Sequence, residues 1–236
     1  MNRREFLKKA GMGGTALFQL NPQCLVRKKG MIQVLCGGGN AIYGQPLVAD
    51  GDSNTSGAGV LPSQAWPAVL ATTLGLSYNV TNIGIPGDTL ANMVATNKFD
   101  NFAQPHYVAG RVNVAVQAGG INDVRIAGAN QTNFAANLTT YGQHARSLGW
   151  KFIACTLPKE HYVPDWTQEA ADFELATNNW IRANWTTFAD ALADFAANSA
   201  FSDTLNTLYY QSDRLHHAPQ GHVVKAGLVF DQLASL

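Results

Sequence analysis

Val112-Asn113-Val114-Ala115-Val116, then Gly119-Gly120-Ile121-Asn122-Asp123, then a helical stretch from Thr132 to Leu148, then Phe152-Ile153-Ala154-Cys155: this succession decides the fold. The outer two segments are short, apolar and rich in β-branched or aromatic residues, as buried strands are. Between them Phe134, Leu138, Tyr141, Ala145 and Leu148 are spaced four, three, four and three apart, which makes one buried stripe along a helix. That stripe reads as core with no functional role. Working outward, Leu47-Val48-Ala49 and Tyr78-Asn79-Val80-Thr81 precede the unit and Phe188-Ala189-Asp190-Ala191-Leu192 follows it, with helical stretches between. Strand-like runs alternating with helices predict a parallel sheet of about five strands, covered on both faces.

One further run, Met31-Ile32-Gln33-Val34-Leu35-Cys36, leads into Gly37-Gly38-Gly39-Asn40. A strand followed by glycines invites a phosphate-binding reading. However, Ile42 stands where a third glycine would be needed, and no Gly-Lys-Ser/Thr follows. A turn between two strands is the better account.

The 236 residues suit one α/β domain, here taken as residues 31–236, with no repeat, low-complexity tract or linker inside it. Lys plus Arg and Asp plus Glu number 16 each, so no net field favours nucleic acid or an anionic membrane. Charged residues are only 14%, with Asn, Thr, Gly and Ala plentiful, a profile common in exported proteins. Arg3-Arg4-Glu5-Phe6-Leu7-Lys8-Lys9 reads as a twin-arginine export signal, so residues 1–30 are assigned to a leader and its flank. Export to the periplasm or medium is expected. The alternative is a basic tail on a cytoplasmic protein, because Ala10 to Leu20 is short and no small-x-small site precedes Val26-Arg27-Lys28-Lys29. No later run approaches the ~20 apolar residues of a membrane span.

Three cysteines do not make a disulfide framework. Cys24 lies near the leader, and Cys36 and Cys155 end apolar runs, where buried free thiols are usual. A Cys36–Cys155 bridge is the alternative in an oxidising compartment.

Four segments carry candidate chemistry. Gly51-Asp52-Ser53-Asn54 follows Leu47-Val48-Ala49-Asp50, and in open parallel sheets ligands bind beyond the carboxyl ends of strands. A serine on that turn can project its hydroxyl into a crevice, and Ala65-Trp66-Pro67-Ala68-Val69-Leu70 reads as the returning helix. Asn82-Ile83-Gly84-Ile85-Pro86-Gly87-Asp88-Thr89 follows the next strand; a glycine lets a backbone N–H approach a ligand, and Asp88 or Thr89 suits a helix start. In Gly119-Gly120-Ile121-Asn122-Asp123 the Asn122 carboxamide can donate to a developing oxyanion. In Asp213-Arg214-Leu215-His216 the carboxylate can hydrogen-bond the imidazole three residues on, leaving its other nitrogen to take a proton from serine. His217 and His222 raise a metal reading, but the chain offers no matching ligand cluster. His106, His144 and His161 read as surface or loop residues.

Taken singly, each segment is also an ordinary turn. In this order, each near the end of a strand-like run, they resemble the SGNH (GDSL-type) hydrolases, named for the Ser, Gly, Asn and His of four sequence blocks. The likeness runs from about Leu47 to the C-terminus. It implies a flavodoxin-like α/β/α sandwich of three layers and a serine carboxylester hydrolase acting through an acyl-enzyme, with no metal and no organic cofactor. Ser53 would be the nucleophile, His216 the base and Asp213 its orienter. The N–H groups of Ser53 and Gly87 and the Asn122 side chain would form the oxyanion hole. Asn54 stands where the family's common name has Leu, and His217 where Pro often follows the base; both departures read as minor, whereas the segment from Met31 to Tyr43 ahead of the nucleophile strand, which many members lack, is the larger departure.

The loop Thr156-Leu157-Pro158-Lys159-Glu160-His161-Tyr162-Val163-Pro164-Asp165-Trp166 is polar and aromatic, with Tyr162 and Trp166 as candidate substrate contacts. It points to a short, acetyl-like acyl group on a polar or carbohydrate alcohol. A lysophospholipase or thioesterase is the alternative, and a non-catalytic binding domain on the same fold a further one. The oligomeric state is not legible in the sequence.

Overall fold

In the computed structural model the described residues are 26–28, 31–33, 44–125, 130–161 and 166–236. The arginine pair at positions 3 and 4, Cys24, Cys36, the glycine run at 37–39 and Tyr162 lie outside them. Strands β1 (Val26–Lys28) and β2 (Met31–Gln33) pair antiparallel as a separate ribbon, so β1 falls within the stretch assigned to the leader and its flank.

The main sheet contains β3 (Gln45–Asp50), β4 (Tyr78–Asn82), β5 (Asn113–Gln117), β6 (Trp150–Cys155) and β7 (Ala191–Ala193). All its pairings are parallel and the order is β4-β3-β5-β6-β7. The chain steps from β3 to one side for β4, then back across β3 for β5. That reversal opens a crevice beyond the carboxyl ends of β3 and β5, the expected place for a ligand in such a sheet.

Helices α1 (Ser53–Ser56), α2 (Trp66–Leu74), α3 (Leu90–Ala95), α4 (Ile121–Arg125), α5 (Gln131–Ser147), α6 (Gln168–Asn184) and α7 (Pro219–Leu233) connect the strands. Side chains alternate along each strand, so each sheet face has its own core. Val48, Ala115, Phe152 and Ala154 pack with residues of α3, α5 and α6. Leu47, Ala49, Val114, Val116, Ile153 and Cys155 pack with Trp66 and Leu70 of α2 and Ala226 and Val229 of α7. This is the expected three-layer sandwich. Each large apolar side chain so buried contributes about 1.5–3 kcal/mol.

Helix α5 is the stripe anticipated from Thr132 to Leu148, begun by Asn130, whose side chain accepts the Asn133 N–H at 2.9 Å. Tyr141 on that stripe is more than core: its hydroxyl donates to Asp50 at the end of β3. The last strand is shorter and later than Phe188 to Leu192. Phe188 follows a turn of 3-10 helix and stacks its ring on Trp180, 5.5 Å between centroids; backbone bonding to β6 starts with the Asp190 N–H on Phe152 O at 2.8 Å, and the strand itself runs from Ala191.

Two glycines bring the ends of β3 and β5 together. A Cβ on Gly119 would stand 2.9 Å from the Gly51 Cα, and one on Gly51 would stand 2.8 Å from the Ala118 carbonyl oxygen. Any side chain at either position would force apart the two turns that carry Ser53 and Asn122.

Candidate active site

The chain leaves β3 through Gly51 and turns at Asp52, whose extended backbone (φ −105°, ψ −150°) caps α1. Asp52 Oδ1 accepts the Asn54 N–H at 3.0 Å and Oδ2 accepts the Gly120 N–H at 3.2 Å, tying the serine turn to the turn after β5. Burial pushes this carboxyl up, opposed by the charge of Lys225 and by both N–H groups. Ser53 begins α1 with its side chain nearly buried.

Facing it is the loop before α7. Asp213 Oδ1 accepts the N–H groups of Leu215 and His216, each at 3.0 Å, while Oδ2 lies 2.6 Å from His216 Nδ1. The left-handed Arg214 (φ 58°) tightens this turn so that Asp and His meet three residues apart. His216 Nε2 lies 3.0 Å from Ser53 Oγ. Because an ionised carboxylate only accepts, the imidazole proton sits on Nδ1 and Nε2 is free to accept from the serine hydroxyl. Burial acts to raise the Asp213 carboxyl, but its bonds to the backbone and ring of His216 and to Leu215 outweigh burial and hold it below its ordinary value.

On the other side, Gly87 has φ 79°, a conformation natural to glycine, in the turn where the Asp88 N–H donates to Ile85 O at 3.1 Å. The Ile85 N–H in turn donates to Gly51 O at 3.0 Å. Asn122 Nδ2 donates to the Asp88 carbonyl at 2.9 Å, so one of its two N–H groups anchors this turn and the other is left over. Among the described residues, no hydrogen bond uses the backbone N–H of Ser53 or Gly87. Thr89 caps α3, and Asp123 accepts the Leu90 and Ala91 N–H groups at 2.9 and 3.4 Å. Burial raises Asp123 to about 6 against those two bonds.

Several residues around this site went unread in the sequence. Lys98, almost wholly buried, places Nζ 2.7 Å from both Asp50 Oδ1 and Asp88 Oδ2, linking the β3 terminus to the Gly87 turn. The only local signal was a charged Asp50 ending an apolar strand. Asn54 makes side-chain bonds to Leu215 O at 3.1 Å and to the N–H and Nδ1 of His217, each at 3.0 Å. The residues at the two departures, positions 54 and 217, are thus bonded to one another.

His217 and His222 are wholly buried. His222 Nδ1 accepts the Trp66 N–H at 3.2 Å, and burial together with Lys225 lowers it to about 3. His217 Nδ1 also lies 3.6 Å from Glu160, which reaches Lys225 Nζ at 3.4 Å. Among the described residues no group of three or more His, Cys, Asp or Glu side chains is placed to hold a metal ion.

Trp166 packs on the core of the α5–α6 side and stacks on His161, centroids 4.5 Å apart; its partner in the candidate pair, Tyr162, lies outside the described residues. His161, read as an ordinary loop residue, thus shares an aromatic surface. His144 pairs on the surface with Asp100 at 2.8 Å. Cys155 is a buried free thiol pushed up by burial, the opposite of an activated nucleophile.

A model of the GDSL-like lipase/acylhydrolase family matches residues 49–224, from the end of β3 into α7. The chain belongs to this family. The GDSL-type enzyme is accordingly a hydrolase of ester bonds, and the matched span holds Ser53, Gly87, Asn122, Asp213 and His216. No curated protein sequence matches it. Among solved structures, a lipolytic G-D-S-L family protein from Veillonella parvula superposes with a TM-score of 0.67 at 18% identity, covering 81% of this chain and all (100%) of that one. TesA gives 0.62 at 23% identity, over 81% of this chain and 100% of its own. An acetylxylan esterase from Geobacillus stearothermophilus gives 0.59 at 20% identity, over 80% and 94%. At these identities the likeness is one of fold. Among the described residues, no helix of this GDSL-type protein is long and apolar enough to cross a membrane.

Proposed function

We propose that this GDSL-family hydrolase cleaves short-acyl esters of a polar or carbohydrate alcohol through an acyl-enzyme on Ser53. The observation that carries this reading is the continuous relay from Asp213 Oδ2 to His216 Nδ1 (2.6 Å) and from His216 Nε2 to Ser53 Oγ (3.0 Å). As Ser53 Oγ attacks the acyl carbon, its proton passes to His216 Nε2, and Asp213 stabilises the imidazolium. The carbonyl oxygen, now an oxyanion, would be met by the otherwise unused N–H groups of Ser53 and Gly87 and by the second N–H of Asn122. Collapse expels the alcohol, which takes the proton from His216. Water, activated by the same base, then releases the acid.

The loop after β6 is polar, and its stacked His161–Trp166 pair offers the kind of apolar face on which sugar rings pack. Acetylxylan esterases are among the chains sharing the fold. The arginine pair and the Phe-Leu-Lys that follows support export by the twin-arginine route, which N-terminal sequencing of the native protein from separated cell fractions would check.

The deciding experiment is a hydrolysis panel of p-nitrophenyl esters of rising chain length, acyl-thioesters and acetylated xylo-oligosaccharides, with mass spectrometry of the quenched enzyme. A short acyl group on the peptide containing Ser53 is expected. A folded Ser53→Ala variant with parental turnover would sink the mechanism. A preference for long acyl chains or thioesters would overturn the substrate class while leaving the mechanism standing.

A further inference from the structure

The bond between Ser53 and His216 joins residues 163 positions apart, and it lies at a partly exposed site. One hydrogen bond between a rotatable hydroxyl and a ring cannot by itself hold two loops in register, since folding only exchanges it for bonds to water. Something else must fix the separation.

We propose that Asn54 is a positioning residue that clamps the loop of the base to the turn of the nucleophile. It immediately follows Ser53 on α1, and its carboxamide bonds to the residues on both sides of His216. Nδ2 donates to the carbonyl of Leu215 at 3.1 Å, and Oδ1 accepts the backbone N–H of His217 at 3.0 Å. The His216 Cα is thus bracketed from the residue adjacent to the serine. Asn54 is 2% exposed, so water does not compete for these bonds.

His217 completes the clamp. Its Nδ1 lies 3.0 Å from the same Oδ1, which can only accept because the amide's N–H side faces Leu215. The Nδ1–H of His217 therefore donates to Asn54 Oδ1. A proline at 217 would have no N–H to offer, and an aliphatic side chain at 54 would have nothing to accept it. Asn54 and His217, two of the departures from the family's usual pattern, thus form one hydrogen-bonded unit. Within the base's loop, by contrast, the Asp213–His216 pair is held by its own bonds from Leu215 and His216. Losing Asn54 should leave that pair intact while loosening its hold on Ser53; Gln211 remains as a tie, its Nε2 donating to Ala58 O at 2.8 Å and to His217 O at 3.0 Å.

This inference rests on Ser53 being the nucleophile and His216 the base. The test is a double-mutant cycle of Asn54→Leu and His217→Pro, each variant read by steady-state kinetics per folded molecule and by the rate at which a fluorophosphonate labels the serine. The parent must be labelled and Ser53→Ala must not be; failure there refutes the functional reading rather than the clamp. Given a labelled parent, Asn54→Leu is expected to lower kcat and labelling together by roughly 10²-fold with KM little changed, the penalty of misplacing a reacting group by about an ångström. The double variant is expected to lose little more than the worse single one, because both remove the same unit. Parental kcat and labelling in folded Asn54→Leu, a change confined to KM, or fully additive losses would each overturn the clamp. If Asn54→Leu does not fold, Asn54→Asp serves. It keeps the acceptor for His217 but loses the donor to Leu215, and parental labelling in it would equally overturn the proposal.

Discussion

The carboxamide nitrogen of Asn122 lies 2.9 Å from the carbonyl oxygen of Asp88, so this side chain anchors the turn that carries Gly87. If Asn122 also supplies the proposed oxyanion donor, removing it should cost both that donor and the anchor of the Gly87 turn. Asn122→Ala should lower kcat by roughly 10²–10³-fold with KM little altered. Asn122→Asp should be worse, because a carboxylate there repels both the Asp88 carbonyl and the oxyanion. Steady-state kinetics of the two folded variants decide it; a tolerated aspartate would place the oxyanion hole elsewhere.

The relay from Asp213 through His216 to Ser53 predicts a ranking of losses. Ser53→Ala and His216→Ala should each reduce kcat by about 10⁶-fold, and the pair together by no more, because nucleophile and base act as a unit. Asp213→Ala should cost less, about 10⁴-fold, since the proposed role of Asp213 is to orient and stabilise the ring without exchanging a proton with substrate. Equal losses at all three positions would give Asp213 a larger part than its geometry supports.

Lys98 stands buried between Asp50 and Asp88, at 2.7 Å from each. Lys98→Met keeps the stem's packing but leaves two buried carboxylates without their cation, and should cost about 3–5 kcal/mol of stability in urea unfolding. Adding Asp50→Asn should recover part of this by removing one of the orphaned charges. A loss below about 1 kcal/mol would show that the cluster behaves as an exposed pair would.

Burial pushes the Glu160 carboxyl up to about 8, against the opposing charge of Lys225. A carboxyl with a folded value above its unfolded one holds its proton more tightly when folded. Its contribution is therefore favourable at low pH and is lost as pH rises from about 4.5 through about 8. Glu174, raised by burial to about 7, and Asp123, raised to about 6, act with the same sign. The urea midpoint should be lower at about pH 8.5 than at about pH 6, and Glu160→Gln should shrink the difference. An undiminished difference in that variant would assign the effect to other groups.

What the sequence determined by itself was whatever neighbouring residues encode. The stripe from Phe134 to Leu148 makes a helix, and the apolar runs at Leu47, Val112 and Phe152 make strands, because periodicity is a property of a few consecutive side chains. Asp213 and His216 were legible as a pair for the same reason, being one turn apart, while Ser53, Gly87 and Asn122 stood out only through the joint resemblance to the SGNH hydrolases, each block near the end of a strand-like run. The strand expected from Phe188 starts later, and the ring's place beside Trp180 is a tertiary matter.

Only the tertiary structure decided the surroundings of the site. Nothing local distinguishes Asn54 as a turn residue from Asn54 as a clamp, or Lys98 as a solvated charge from Lys98 as the buried cation between two aspartates. Tyr141 lay on a stripe whose spacing explained it as core, and its hydroxyl nonetheless serves Asp50. A polar side chain's role is set by which donors and acceptors reach it once water is gone, and these come from segments that meet only when the sheet closes.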